Sequence, residues 1–173
     1  MPRLTKLLVG GFLGLSLFSG LTACQRTPAA PTPSKKAAVT QPVRPLTVAE
    51  VQRDHRLRDV SLIYYAVKHT GVQRWQEVSD FKLGWQVETE TVHGTKRYSV
   101  WPDAHIQESQ KKLEPNWFTL KGQRVTYESF VVHSDGDYTV AHTTLPRVVR
   151  QINRDHAARR VRHMTINLTT LEK

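Results

Sequence analysis

Gly84-Trp85-Gln86-Val87-Glu88-Thr89-Glu90-Thr91-Val92-His93-Gly94-Thr95-Lys96-Arg97-Tyr98-Ser99-Val100-Trp101-Pro102 carries a side-chain period of two. Trp85, Val87 and Thr89 alternate with Gln86, Glu88 and Glu90, and the apolar beat returns at Tyr98 and Val100. A strand puts successive side chains on opposite faces, so this alternation predicts a half-buried strand on each side of His93-Gly94. His-Gly supplies the turn, and Pro102-Asp103 breaks the second strand. The hairpin is the seed of an antiparallel sheet.

Upstream, the period lengthens to that of a helix. Val48, Val51, Val60, Ile63, Tyr64 and Val67 recur at near-helical spacing, with Gly71 as a stop. Thr47-Val48-Ala49-Glu50 matches a capping box, with Thr47 as cap and Glu50 as its reciprocal partner. The charged piece 53–59 interrupts the stripe, which leaves one helix or two. A short helix over 72–78 is expected to bury Trp75. Downstream, 104–113 reads either as a short helix with Ile106 and Leu113 inward or as a loop. Trp117 to His133 folds back at Lys121-Gly122-Gln123-Arg124 as a second hairpin, Ser134-Asp135-Gly136-Asp137 is a turn, and 138–142 is a further strand. Thr144 and Pro146 open a helix over 145–153, with Val148, Val149 and Ile152 as its buried stripe. A turn near 155–159 then leads to a last strand in which Met164, Ile166 and Leu168 alternate. The sum is an α+β domain: N-terminal helices and one late helix packed on a mostly antiparallel sheet.

That domain, 46–173, follows two segments of different composition. Leu7 to Leu21 is uncharged, of signal-core length and short of a bilayer span, and follows Arg3 and Lys6. It ends in Leu21-Thr22-Ala23-Cys24, which resembles the bacterial lipobox. The resemblance implies that 1–23 is a lipoprotein signal peptide, that the Cys24 thiol takes a diacylglyceryl group, and that Cys24 becomes the first mature residue. The expected location is the extracytoplasmic face of the cell membrane, with lipid as the anchor. Cys24 is the only cysteine, so the exported domain contains no disulfide. Residues 24–45 hold Pro28, Pro31, Pro33, Pro42 and Pro45, with Arg26, Lys35, Lys36 and Arg44 and no acid. Such a segment buries too little to fold and reads as a semi-stiff basic tether.

The chain has 25 bases, 15 acids and a net charge of +10. Nineteen bases against all fifteen acids leave the domain itself at +4. Within it, Arg147, Arg150, Arg154, Arg159, Arg160 and Arg162 face one acid, Asp155. Positions 147, 150 and 154 share a helix face. Guanidinium forks suit phosphate and carboxylate, so the cluster is a candidate anion site. Export excludes nucleic acid as its partner and leaves anionic wall polymers, acidic glycans or lipid headgroups, beside the membrane reached through Cys24.

Other constellations fall short of a chemistry. The histidines at 55, 69, 93, 105, 133, 142, 156 and 163 form no ligand motif, and a site shared by His133, His142 and Asp135 or Asp137 is weaker than surface placement. Ser129, His133 and Asp135 or Asp137 are a triad in residue type only, since 129 and 133 lie about 13 Å apart along one strand. Asp135-Gly136-Asp137 lacks the ligand count of a calcium loop. The four tryptophans are expected in the core, with Trp101 the most exposed. No catalytic residue, metal or cofactor is assigned.

Ile63-Tyr64-Tyr65 with Trp75, Tyr98-Ser99-Val100-Trp101-Pro102-Asp103, Asn116-Trp117-Phe118 and Val125-x-Tyr127-x-Ser129-Phe130-Val131-Val132-His133 resemble short lipoproteins of lactobacilli and their relatives that carry a domain of unknown function. The resemblance implies the same compartment and a single domain, and it carries over no activity. The expected function is that of an anchored accessory or binding lipoprotein. The alternative is a cell-envelope hydrolase or an inhibitor of one.

Overall fold

The computed structural model describes residues 43–173; the signal, Cys24 and nearly all of the tether lie outside the described residues. The 85–102 hairpin forms as the sequence implies, with β1 (Trp85–Val92) antiparallel to β2 (Thr95–Pro102). His93 and Gly94 both take positive φ, 48° and 78°, which matches the right-handed twist of the flanking strands. A meander continues through β3 (Asn116–Lys121), β4 (Arg124–Phe130) and β5 (Tyr138–Thr144), each antiparallel to its neighbour. The chain then returns through helices to the opposite edge, where β6 (Leu168–Glu172) pairs parallel with β1. The order β5-β4-β3-β2-β1-β6 makes an α+β fold with a mostly antiparallel six-stranded sheet.

Gly84 is the hinge that admits β6. A Cβ there would sit 1.9 Å from the Asn167 carbonyl oxygen, and its φ is +73°, so only glycine fits.

One face of the sheet is packed by helices. Asp54 divides the N-terminal stripe into α1 (Val48–Arg53) and α2 (His55–His69), and its carboxylate caps α2 by accepting from the Leu57 N–H at 3.0 Å. Thr47 caps α1, but Glu50 does not complete the box; its carboxylate turns to arginines instead. From Leu57 to Val67 only Arg58 escapes full burial, the pattern of a helix surrounded by structure. Beneath it lie Trp75, Trp85, Phe118 and Tyr127, all fully buried, and the Tyr127 hydroxyl donates to the Leu62 carbonyl. Each such side chain contributes about 2 kcal/mol by leaving water.

The C-terminal part departs from expectation. After α3 (Leu145–Arg154) a second late helix, α4 (Ala158–Met164), stands where a turn and strand were expected. Ala158, Val161 and Met164 are buried at helical spacing, while Ile166 is 67% exposed. The Met164-Ile166-Leu168 alternation was therefore accidental, and only Leu168 onward is strand. Segment 104–113 is a loop with one helical turn at Glu108–Gln110, and Leu113 is 56% exposed.

That loop lies over the other face of the sheet, and its inward residue is Lys111. The Lys111 ammonium reaches the Glu88 carboxylate at 2.5 Å and also pairs with Glu108. Glu88 accepts further from Gln86 Nε2 at 3.0 Å, Trp101 Nε1 at 3.1 Å and Lys173 Nζ at 2.8 Å. On the same face the Arg97 guanidinium lies 3.8 Å from the centre of the Trp117 ring and pairs with Glu114.

Candidate anion-binding face

Helix α3 buries Leu145, Val148, Val149 and Ile152, which turns Arg147, Arg150 and Arg154 to solvent. Over seven residues the row extends about 10 Å along the helix axis. Arg159, at the start of α4, is exposed as well. None of these four has a side-chain partner among the described residues. Arg147 stands in the first turn of α3, which has no acid and whose Thr144 side chain makes no cap bond. Positive charge there opposes the helix dipole and is relieved by an anion.

The remaining two arginines have other duties. Arg160 lies over the Phe81 ring, 4.6 Å from its centre. Arg162 forks onto Glu50 at 2.8 and 3.1 Å and donates to the carbonyls of Arg44 and Pro45 at 2.8 and 3.1 Å. Hydrogen bonding from Arg162 is the main cause that holds the Glu50 carboxyl below the usual range. Leu46 and Asn153 complete the clamp: the Leu46 N–H donates to Asn153 Oδ1 at 2.8 Å, and Asn153 Nδ2 donates to the Leu46 carbonyl at 2.9 Å. The chain thus enters the domain pinned against α3 and α4, the helices that carry the exposed arginines. Sequence reading missed Glu50 and Asn153 in this role; an acid three residues after a cap reads first as a capping partner.

Asp155, the lone acid among the arginines, does not neutralise them. It accepts from the Tyr64 hydroxyl at 3.0 Å and Gln151 Nε2 at 2.9 Å, and its Oδ2 lies 2.6 Å from His69 Nε2. Burial pushes its carboxyl up, but the bonds from His69, Gln151 and Tyr64 outweigh that and hold it low. Burial and the same carboxylate push the Tyr64 hydroxyl up to about 12.

The other sequence candidates are dispersed. Ser129 is buried on the helix-packed face and donates to Asn116 Oδ1 at 2.5 Å. His133 lies in the turn after β4 with φ 67°, and His142 is on β5 opposite Thr126. Trp75, Trp85 and Trp117 are buried and Trp101 is half-buried. No helix among the described residues is long and apolar enough to cross a membrane. Comparison with protein-family models, with curated proteins and with solved structures gives no match.

Proposed function

We propose that this chain is a lipid-anchored, extracytoplasmic binding lipoprotein whose α3–α4 surface holds phosphate- or carboxylate-bearing material of the cell envelope. One observation carries the reading. Arg147, Arg150, Arg154 and Arg159 are exposed and unpaired on the two helices against which residues 43–46 are clamped. The chain enters the folded domain at that clamp. Guanidinium groups bind phosphate and carboxylate as forks, and unpaired ones release nothing of their own to do so. Arg26, Lys35 and Lys36 of the tether add to the same attraction, each by about 1 kcal/mol near an anionic surface, while Arg44 is engaged by Glu50.

The test is co-sedimentation of the fragment 40–173 with purified cell walls, with anionic vesicles and with neutral vesicles, across a salt series. Binding to walls or to anionic vesicles, falling steeply with salt, supports the reading and tells polymer from headgroup. Exposed charges are screened over about 8 Å at physiological ionic strength. Replacing Arg147, Arg150 and Arg154 together by Gln should remove most of the binding without unfolding the domain. Equal sedimentation of wild type and triple variant ends the proposal.

A further inference from the structure

A second polar site lies at the opposite end of α2, where its first turns meet β1, β2 and β6. A cavity of about 180 Å³ there is lined by His55, Arg58, Asp59, Thr89, Lys96 and Tyr98, among others. Asp59 is 3% exposed, and both close contacts from Arg58, Nε at 2.9 Å and Nη2 at 2.8 Å, go to the same oxygen, Oδ1. Oδ2 has no hydrogen-bond partner among the described residues, and it is not sealed in the interior. Arg58 is held in turn over the Tyr98 ring, 4.9 Å from its centre, so it cannot swing to cover the second oxygen without losing that contact. Arg56 is committed to the carbonyls of Thr165 and Leu168. Lys96 and His55 are exposed at the rim with no partner among the described residues.

Asp59 is nearly buried, and the carboxylate oxygen that has no donor from the protein opens onto this cavity, where water or the donor of a ligand satisfies it. We infer that this cavity is a binding site for a small zwitterion of amino-acid size. Its ammonium group would donate to Asp59 Oδ2, and its anionic group would lie at the rim between Lys96 and His55. The site is separate from the arginine face, and neither inference depends on the other. Burial pushes the Asp59 carboxyl up to about 6, against the opposing charges of Arg58, His55 and Arg56. The charged and titratable groups around it are His55, Arg56 and Arg58 on α2, Lys96 and Tyr98 on β2, and Glu172 on β6.

The experiment titrates the full chain, purified in mild detergent, with L-alanine, ethylamine and propionate, by calorimetry and by NMR shifts. The whole zwitterion should bind at least tenfold more tightly than either half. Asp59→Asn should abolish the preference for the amine while the spectrum stays folded, and Lys96→Ala should weaken L-alanine and leave ethylamine unchanged. Wild-type affinity should fall about tenfold from pH 7.5 to pH 5, where roughly a tenth of the carboxyl remains ionised, and Asp59→Asn should lose that dependence. Absence of saturable binding up to 50 mM (about the weakest useful affinity on the millimolar scale), a half-ligand that binds as well as the whole, or an Asp59→Asn variant that binds like wild type overturns the inference.

Discussion

Asp59 and Glu88 are two carboxylates shut away on opposite faces of one sheet, 3% and 4% exposed. Their surroundings push them in opposite directions. At Glu88 burial raises the carboxyl, but hydrogen bonds from Lys111, Lys173 and Trp101 overcome it and bring it down to about 2. At Asp59 burial dominates, and a single arginine on one oxygen leaves the carboxyl at about 6. Depth alone therefore says nothing about whether an acid stabilises its fold. What matters is how many of its lone pairs meet donors. Glu88 has donors on both oxygens and acts as a tie between sheet and loop. Asp59 has donors on one, and the domain carries it at a cost.

The largest effect should come from breaking the satisfied member. Glu88→Gln leaves the Lys111 ammonium, itself 5% exposed, with only Glu108 for a partner. A loss of about 3 kcal/mol is expected in urea denaturation at pH 7, since the nearly buried ammonium then keeps only the exposed Glu108 carboxylate as its counter-charge. A loss below about 0.5 kcal/mol, the usual size for surface substitutions, would make Glu88 an ordinary surface acid.

The unsatisfied member should respond with the opposite sign. The folded-state carboxyl of Asp59 lies above the unfolded value near 3.9, so the native state holds the extra proton between about pH 4 and pH 6, and stability falls as pH rises through that window. Asp59→Asn should gain about 2 kcal/mol over wild type on going from pH 4 to pH 7.5. An unchanged difference between the two pH values would break the comparison.

Glu88 should dominate the acid side. Its folded value lies below the unfolded one, so its contribution is present above about pH 4.5 and is lost as pH falls toward 2. That limb is worth roughly 2 kcal/mol once solvent screening is allowed for, and it should flatten in Glu88→Gln. The smallest effect belongs to Lys173, whose side chain is 51% exposed. Lys173→Ala should cost less than about 1 kcal/mol in the same titration, and a larger cost would mean that Lys173, rather than Lys111, secures Glu88.

Much of this architecture is legible in the residues. The 85–102 alternation, the His93-Gly94 turn and the second hairpin around Gly122 are local, and local patterns are what a sequence displays. The α4 helix was hidden because Met164, Ile166 and Leu168 mimic a strand, and ahead of them α4 buries only Ala158 and Val161, set among arginines. The arginine cluster was visible as composition, but its division into exposed, stacked and clamping members was not. Arg162 differs from Arg159 only in having Glu50 across from it, more than a hundred residues away in sequence. Asp59 left a faint sign: an acid four residues before Ile63 on an apolar stripe, with His55 one turn earlier on the same helix face.

By itself the sequence determined periodicity: the strands and helices as far as α3, the turns that interrupt them, and hence an α+β domain behind a basic, proline-rich segment. Tertiary structure alone decided which polar groups lost their water and whether they found partners. Alternation placed Gln86 and Glu88 on the face away from the core, yet the 103–115 loop buried them. The reason is physical. Periodicity arises from neighbours along the chain, whereas satisfaction of a buried charge depends on donors brought from Lys111, Lys173 or Arg58 by the packing of the whole.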